Sequence, residues 1–387
     1  MRANISEATL ERRPFEVWRL SRYVLWEVLF PFGAALLFFL LLLFAMAFLR
    51  SSNLLLGSAI QLGDLAEIGF FILPQFFIQA IPIAFLLALL LGMGRMNEDR
   101  EIRAMQALGL SPMRAAWGIV VLGLVLSLLL TGALTHALPW STRNLWHVTS
   151  ELLKRNLRGD VKSGVFYDQI ARYVLFVDEV EEQHWKRIWL YDTQQENALG
   201  LLNAKEGRLE LPEGEEAIWL HLNEGEIHDI HNNSVEAAYP WARFGEGKLR
   251  LELGKRYFQR NSLGRAMDEY TLGDLQRLLK EAEGRGEAKE ALRFHVAWHW
   301  RLAQGLAPLL FSILGVAIAL RYLKGSKAIG GLITLVAYVA YYILARVGVS
   351  MAEEGVWNAA FGAHLANLVF LVAALVGWRR IETGRLV

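Results

Sequence analysis

The sequence predicts an α-helical membrane protein: six transmembrane helices, three and three, around an inserted extracytoplasmic all-β, jelly-roll-like domain. Three observations predict it. Six apolar runs each approach the roughly 20 residues that a helix needs to cross a bilayer. Lys and Arg gather in alternate connecting segments, as the positive-inside rule requires. Between the third and fourth runs the chain changes character, to short alternating stretches separated by turn residues. The 387 residues are 54% hydrophobic with a formal net charge of +1. That share is high for a soluble protein, and the near-neutral charge gives no sign of a nucleic-acid partner.

Taken in order, the spans are read at residues 24–49, 68–91, 116–138, 302–320, 329–349 and 359–378. The first is too long for a removable signal peptide and lacks a small-residue cleavage site. Arg2, Arg12, Arg13, Arg19 and Arg22 precede it, and Arg95, Arg100, Arg103 and Arg114 follow the second span. Arg321, Lys324 and Lys327 follow the fourth, and Arg379, Arg380 and Arg385 the sixth. The opposite connections, 51–67 and 351–355, hold no Lys or Arg. Both termini are therefore expected in the cytoplasm of an inner-membrane protein, with the β-domain in the periplasm. Three regions follow: 1–139 with the first three spans, 140–296 with the β-domain and flanking helices, and 297–387 with the last three spans. The absence of Cys excludes disulfides and metal–thiolate sites.

An amphipathic stretch at 141–157 leads into the inserted domain. Eight short runs are read as strands, at 172–177, 186–191, 199–204, 207–211, 217–222, 225–230, 241–244 and 248–253. With turns at "PEGEE" and "NEGE" they suggest a sandwich or jelly roll. "YTLGDLQRLLKEAEGRGEAKEALRFH" then reads as a polar helix returning to the bilayer. No internal repeat is evident.

The connector "GRMNEDREIRAMQALGLS" between spans two and three is patterned rather than merely charged. Set 97–109 on a helix and Ile102, Ala104, Met105 and Leu108 share one side, while Arg100 and Arg103 point away. Glu101 falls inside the apolar stripe; Gly109 and Pro112 are placed to end the helix. A helix on lipid headgroups keeps carboxylates off its buried face. A carboxylate within the stripe suits docking into a protein groove that offers a cation. The alternative, a solvated loop carrying positive-inside arginines, stays open on periodicity alone.

Other polar residues at membrane depth are candidates for substrate contact. Gln75 and Gln79, beside Pro74 and Pro82, either line a cavity or bond neighbouring helices. Arg346, near the outer end of span five, either snorkels outward or meets phosphorylated headgroups. Arg50 and Arg301, at the outer face, are either interface anchors or part of a cationic rim. Tyr338, Tyr341 and Tyr342 are either packing or a lipid gate. His136, His295 and His299 lack a partner at ligand spacing within a span, so no metal site is expected. The spans hold almost no acids and no nucleophile–base pair, which argues against an enzyme. No phosphate-binding loop occurs either; "GEGKLRL" lacks the spacing.

The run G-R, five residues, E-I, two residues, M-x-A-x-G-x-S resembles the coupling-helix signature of the LptF/LptG lipopolysaccharide-export permeases. "RYVLWEVLFPF", "LPQFFIQAIPIAFLLALLLGMGR", "RYVLFVDEV", "LLNAKEGRLEL", "YTLGDLQRLL" and "WRLAQGLAPLLFSILGVAIAL" are similar to that family too, in the right order. The resemblance implies the membrane subunit of an ATP-driven ABC transporter that extracts lipopolysaccharide, or a similar envelope glycolipid, for export to the outer membrane. It implies coupling to the ATPase through Glu98, Glu101, Ile102, Met105 and Leu108, with Glu101 facing the ATPase. Its implied partners are a cytoplasmic ABC ATPase dimer that binds ATP and magnesium, a second permease of the same kind, and a periplasmic β-jelly-roll protein. No cofactor is implied in this chain. The family's basic residues near the outer end of the first span have no clean counterpart, Arg50 lying a few residues further out. Two alternatives remain: another ABC-type lipid or lipoprotein permease, and a non-transporting envelope scaffold. The first places its external domain after the first of four spans, unlike this chain.

Overall fold

The computed structural model describes residues 14–50, 62–108, 110–159, 163–170, 173–181, 184–192, 200–210, 217–228, 241–252, 267–322 and 327–382. The long apolar runs are helices, which bond their own backbone and so suit hydrocarbon. Helix α1 spans Pro14–Arg50 and α2 Leu62–Glu98, each 37 residues. Both exceed the apolar runs that announced them, because nothing in flanks such as "GMGRMNE" breaks a helix. Two short helices follow, α3 (Glu101–Ala107) and α4 (Pro112–Ala115).

The third span, α5 (Trp117–Gly132), passes through a π-helical turn at Ala133–Ala137 into α6 (Leu138–Gly159), the amphipathic stretch. At this turn the Thr135 hydroxyl donates to the carbonyls of Thr131 and Gly132, at 2.9 and 3.2 Å. Such back-bonding competes with the regular helical ladder and accompanies its widening.

The polar return helix is two helices. Helix α7 (Leu272–Arg285) opens on a capping box between Thr271 and Asp274 and closes on Gly286 at φ 75°. Glycine takes that left-handed conformation without steric cost, so the chain stops and restarts as α8 (Ala288–Gly305). The fourth span is also broken: α8 meets α9 (Ala307–Tyr322) at a bend of 42°. Pro308 has no N–H to continue the ladder across Leu306, which accounts for the break. Helices α10 (Lys327–Glu353) and α11 (Ala359–Glu382) complete the set. Among the described residues five helices are long and apolar enough to cross a membrane, six if the bent pair is one span.

The β-domain carries six strands among the described residues, not eight. They are β1 (Val165–Ile170), β2 (Tyr173–Glu181), β3 (His184–Asp192), β4 (Leu201–Glu210), β5 (Ala217–His228) and β6 (Trp241–Glu252). Each pairs antiparallel with its sequence neighbour in one sheet. Three pairs of runs, meeting near Gly207, Gly225 and Gly247, are single strands, which leaves five, and β1 is a sixth that none of the runs included. "NEGE" is likewise paired strand rather than turn, and "PEGEE" lies outside the described residues. At Gly207 an added Cβ would stand 2.5 Å from Ile188 Cδ1. Glycine is there for a close neighbour rather than for a turn. Leu175, Val177, Ile188, Leu190, Leu220 and Leu222 fill the buried face.

Two compact units result: one from the chain up to Phe44, Pro74–Pro139 and Tyr270 onward, the other from Ala45–Leu73 with Trp140–Glu269. In the first, Phe85, Leu89, Phe311 and Tyr341 form the centre of a core joined by Ile102 and Met105.

Candidate functional site

The patterned connector folds as a short helix held between two reversals. Asn97 and Glu98 finish α2 rather than starting α3, and Arg100 turns the chain at φ 59°. A non-glycine residue there costs about 1 kcal/mol, and the turn separates α3 from α2. Ile102 and Met105 are buried at 6% and 8% exposure, in the core that also holds Met93, Met96, Ala115 and Ala116. Leu108 is 69% exposed. The single stripe expected from periodicity is therefore split. Two of its members root α3 in the chain's own core; Leu108, with exposed Ala104 and Ala107, faces outward. Gly109 lies outside the described residues.

Glu101 has a partner within the chain, and it is a phenol rather than a cation. The Tyr23 hydroxyl lies 3.1 and 2.9 Å from the two carboxylate oxygens and donates to them. Other contacts join the same stretch of α1. Arg95 Nη1 is 3.2 Å from Glu27 Oε2, and its Nε is 3.6 Å from Asp99. The Gly118 N–H donates to Ser21 Oγ at 3.0 Å. Gly92 admits no side chain, since a Cβ would lie 2.5 Å from the Glu27 carbonyl oxygen. Ser21, Tyr23 and Glu27 thus fasten one end of α1 to α5, α3 and α2. The exposed ion pairs contribute at most about 1 kcal/mol each; the glycine contacts bring the backbones together.

The remaining candidates scatter. Glu98 is exposed at the end of α2. Gln75 and Gln79 are half-buried one turn apart on α2, and the Gln79 carbonyl accepts from the Tyr338 hydroxyl at 3.5 Å. Arg346 is exposed on α10 and has no ion pair among the described residues. Arg301 was expected at a surface, as anchor or rim, and instead is 3% exposed, with its guanidinium donating to the Tyr270 carbonyl just before α7. It ties the return segment to α8. Arg50 closes α1, but its side chain lies outside the described residues. Tyr341 is fully buried, its hydroxyl donating to Asn367 Oδ1 at 2.7 Å, so packing is the reading that holds for it.

Sequence reasoning missed Tyr23 and Asn367. Asn367 Nδ2 also donates to the Ala303 carbonyl, 3.0 Å away, beside the break in the fourth span. A lone amide in "HLANLVF" was the available signal, since an amide in hydrocarbon must find partners. His295, His299 and His364 form a row, with ring centroids 4.9 and 6.1 Å apart. No group of three His, Asp or Glu among the described residues is arranged to hold a metal.

The family model described as "Lipopolysaccharide export system permease LptF/LptG" matches residues 22–380. No curated protein matches the chain.

Proposed function

The chain belongs to the LptF/LptG family, as the non-catalytic transmembrane permease of the lipopolysaccharide export ABC transporter, and on that premise we propose that α3 is the joint through which an ATPase drives it. The outward set of Ala104, Ala107 and Leu108, with Glu98 and Arg103 at its margin, docks into a groove of a cytoplasmic ABC ATPase dimer, which binds the ATP and magnesium. Ile102 and Met105 root the helix, so force entering at Leu108 reaches the core. Glu101 sits between the two and transmits. The carrying observation is this division of one short helix into a buried and an exposed apolar part.

On the same reading both termini and α3 are cytoplasmic and the sheet periplasmic, supported by the Lys/Arg distribution. A second permease completes a cavity for lipopolysaccharide or a similar glycolipid. Arg346 is the best placed of the candidate cations for its phosphates, with Gln75, Gln79 and Arg50 as further contacts. A periplasmic β-jelly-roll protein receives the lipid by pairing with an edge of the sheet, β1 or β6.

Affinity purification of the tagged chain with its native neighbours, followed by mass spectrometry of proteins and lipids, tests this. An ATPase, a second permease and a phosphorylated glycolipid together are expected. An ATPase without that lipid reopens the cargo; absence of any ATPase sinks the reading. Glu101→Ala should abolish coupled transport with normal expression, and normal transport in that variant removes Glu101 from the joint.

A further inference from the structure

Building on the reading of α3 as the ATPase joint, we propose that Tyr23 is the positioning residue that carries the stroke from α3 into α1. Helix α1 is apolar along most of its length, yet its buried core contacts are Val24, Val28, Phe32 and Ala35, with Leu20, Leu29, Leu36 and Phe39 partly buried beside them. Beyond that strip Leu41, Phe44 and Phe48 are exposed. A helix fastened at one end and lightly held elsewhere turns with whatever grips that end.

Among the described residues three polar ties grip it, and they answer to different elements. Ser21 meets the start of α5, Glu27 meets Arg95 at the end of α2, and Tyr23 meets α3. Only the last touches the helix that receives the ATPase. The phenol hydroxyl is shared between both carboxylate oxygens, at 3.1 and 2.9 Å, so it meets the carboxylate as a group rather than through one atom. It therefore fixes the orientation of α3 against α1 and not merely its distance. Arg95 is occupied with Glu27 and Asp99, so it holds α2 and α1 together without engaging Glu101. Losing the Tyr23 hydroxyl thus leaves the ties of α1 to α2 and α5 in place and removes its polar tie to α3.

Tyr23→Phe in the intact complex, reconstituted with lipopolysaccharide, provides the test. The ATPase should copurify in the usual amount, while lipopolysaccharide released per ATP falls several-fold. The chain has no Cys, so spin labels at Phe30→Cys on α1 and Leu332→Cys on α10 report a single distance. Its change on nucleotide binding should disappear in the variant. Glu101→Leu, which removes both acceptor oxygens, should lose at least as much, and the double variant should be no worse than Glu101→Leu alone, because both break one link. Unchanged transport per ATP in Tyr23→Phe, or multiplying losses in the double variant, overturns the proposal. So does failure of Tyr23→Phe to assemble, since a relay hydroxyl is not needed for folding. If Tyr23→Phe is normal while Glu101→Ala is inactive, the joint at α3 stands and only the relay falls.

Discussion

Helices α1 and α2 have the same length and nearly the same apolar character, yet 11% of the apolar window of α1 is buried against 67% of that of α2. Apolarity qualifies a segment for hydrocarbon; it does not say whether the neighbour is lipid or protein. What separates the two is the detail of the faces. Helix α2 offers Ala80, Ala84 and Ala88, all fully buried, which let neighbouring helices approach closely. Helix α1 presents large side chains over most of its surface, and its backbone is approached closely where Gly92 receives it. One helix is core; the other is an attachment, held by a narrow apolar strip and a few polar ties.

The sharpest way to break this contrast is to truncate an equivalent side chain in each. Phe85→Ala, at a fully buried position of α2, should cost about 3–5 kcal/mol. Leu41→Ala, 61% exposed on α1, should cost less than about 1 kcal/mol. Thermal melting in detergent would read both, and equal losses would mean that α1 is as much core as α2. Next in size, Leu108→Asp should reduce the ATPase recovered with the chain several-fold while leaving the melting temperature unchanged, because this side chain is outside the core. Ile102→Asp should do the reverse and lower the melting temperature first.

The smallest effect belongs to the sheet. Hydrogen bonds from His221 and then Lys248 hold the Glu210 carboxyl below its ordinary value of 4.5. A depressed carboxylate contributes stability that is present above that ordinary value and fades as the pH falls through the folded one. Glu210 is fully exposed to solvent, so the contribution is small. Glu210→Gln should slightly flatten the acid limb of the sheet's unfolding curve below about pH 4.5 and leave the neutral region unchanged.

Much of this architecture is written in local pattern. The apolar runs and the inserted alternating segment follow from length and period, whereas the breaks at Gly286 and Pro308 were read through as continuous helix. The amphipathic character of α3 was legible too, and so was the placing of Glu101 within it. What the stripe faces was not, because periodicity reports that a face is apolar and is silent on which surface covers it. Ile102 and Met105 found cover in their own chain. Tyr23 lies 78 positions from Glu101, and no spacing rule connects residues so far apart. The strands around Gly207 and Gly225 were misdivided because a glycine making room for a neighbour and a glycine making a turn look identical in sequence.

The glycine pair at the end of the chain carries one more consequence. Gly348 on α10 and Gly362 on α11 each lie against the other's carbonyl, with no room for even a methyl group. Two helices meshed this closely are in the position of a key in a cut lock: sliding one along the other by a single residue would drive a Cβ into backbone. The hairpin they form therefore has one register, and during any stroke it travels as a plank. Arg346, two residues before Gly348, stands on the same locked hairpin, so any displacement of the pair would displace its side chain as well.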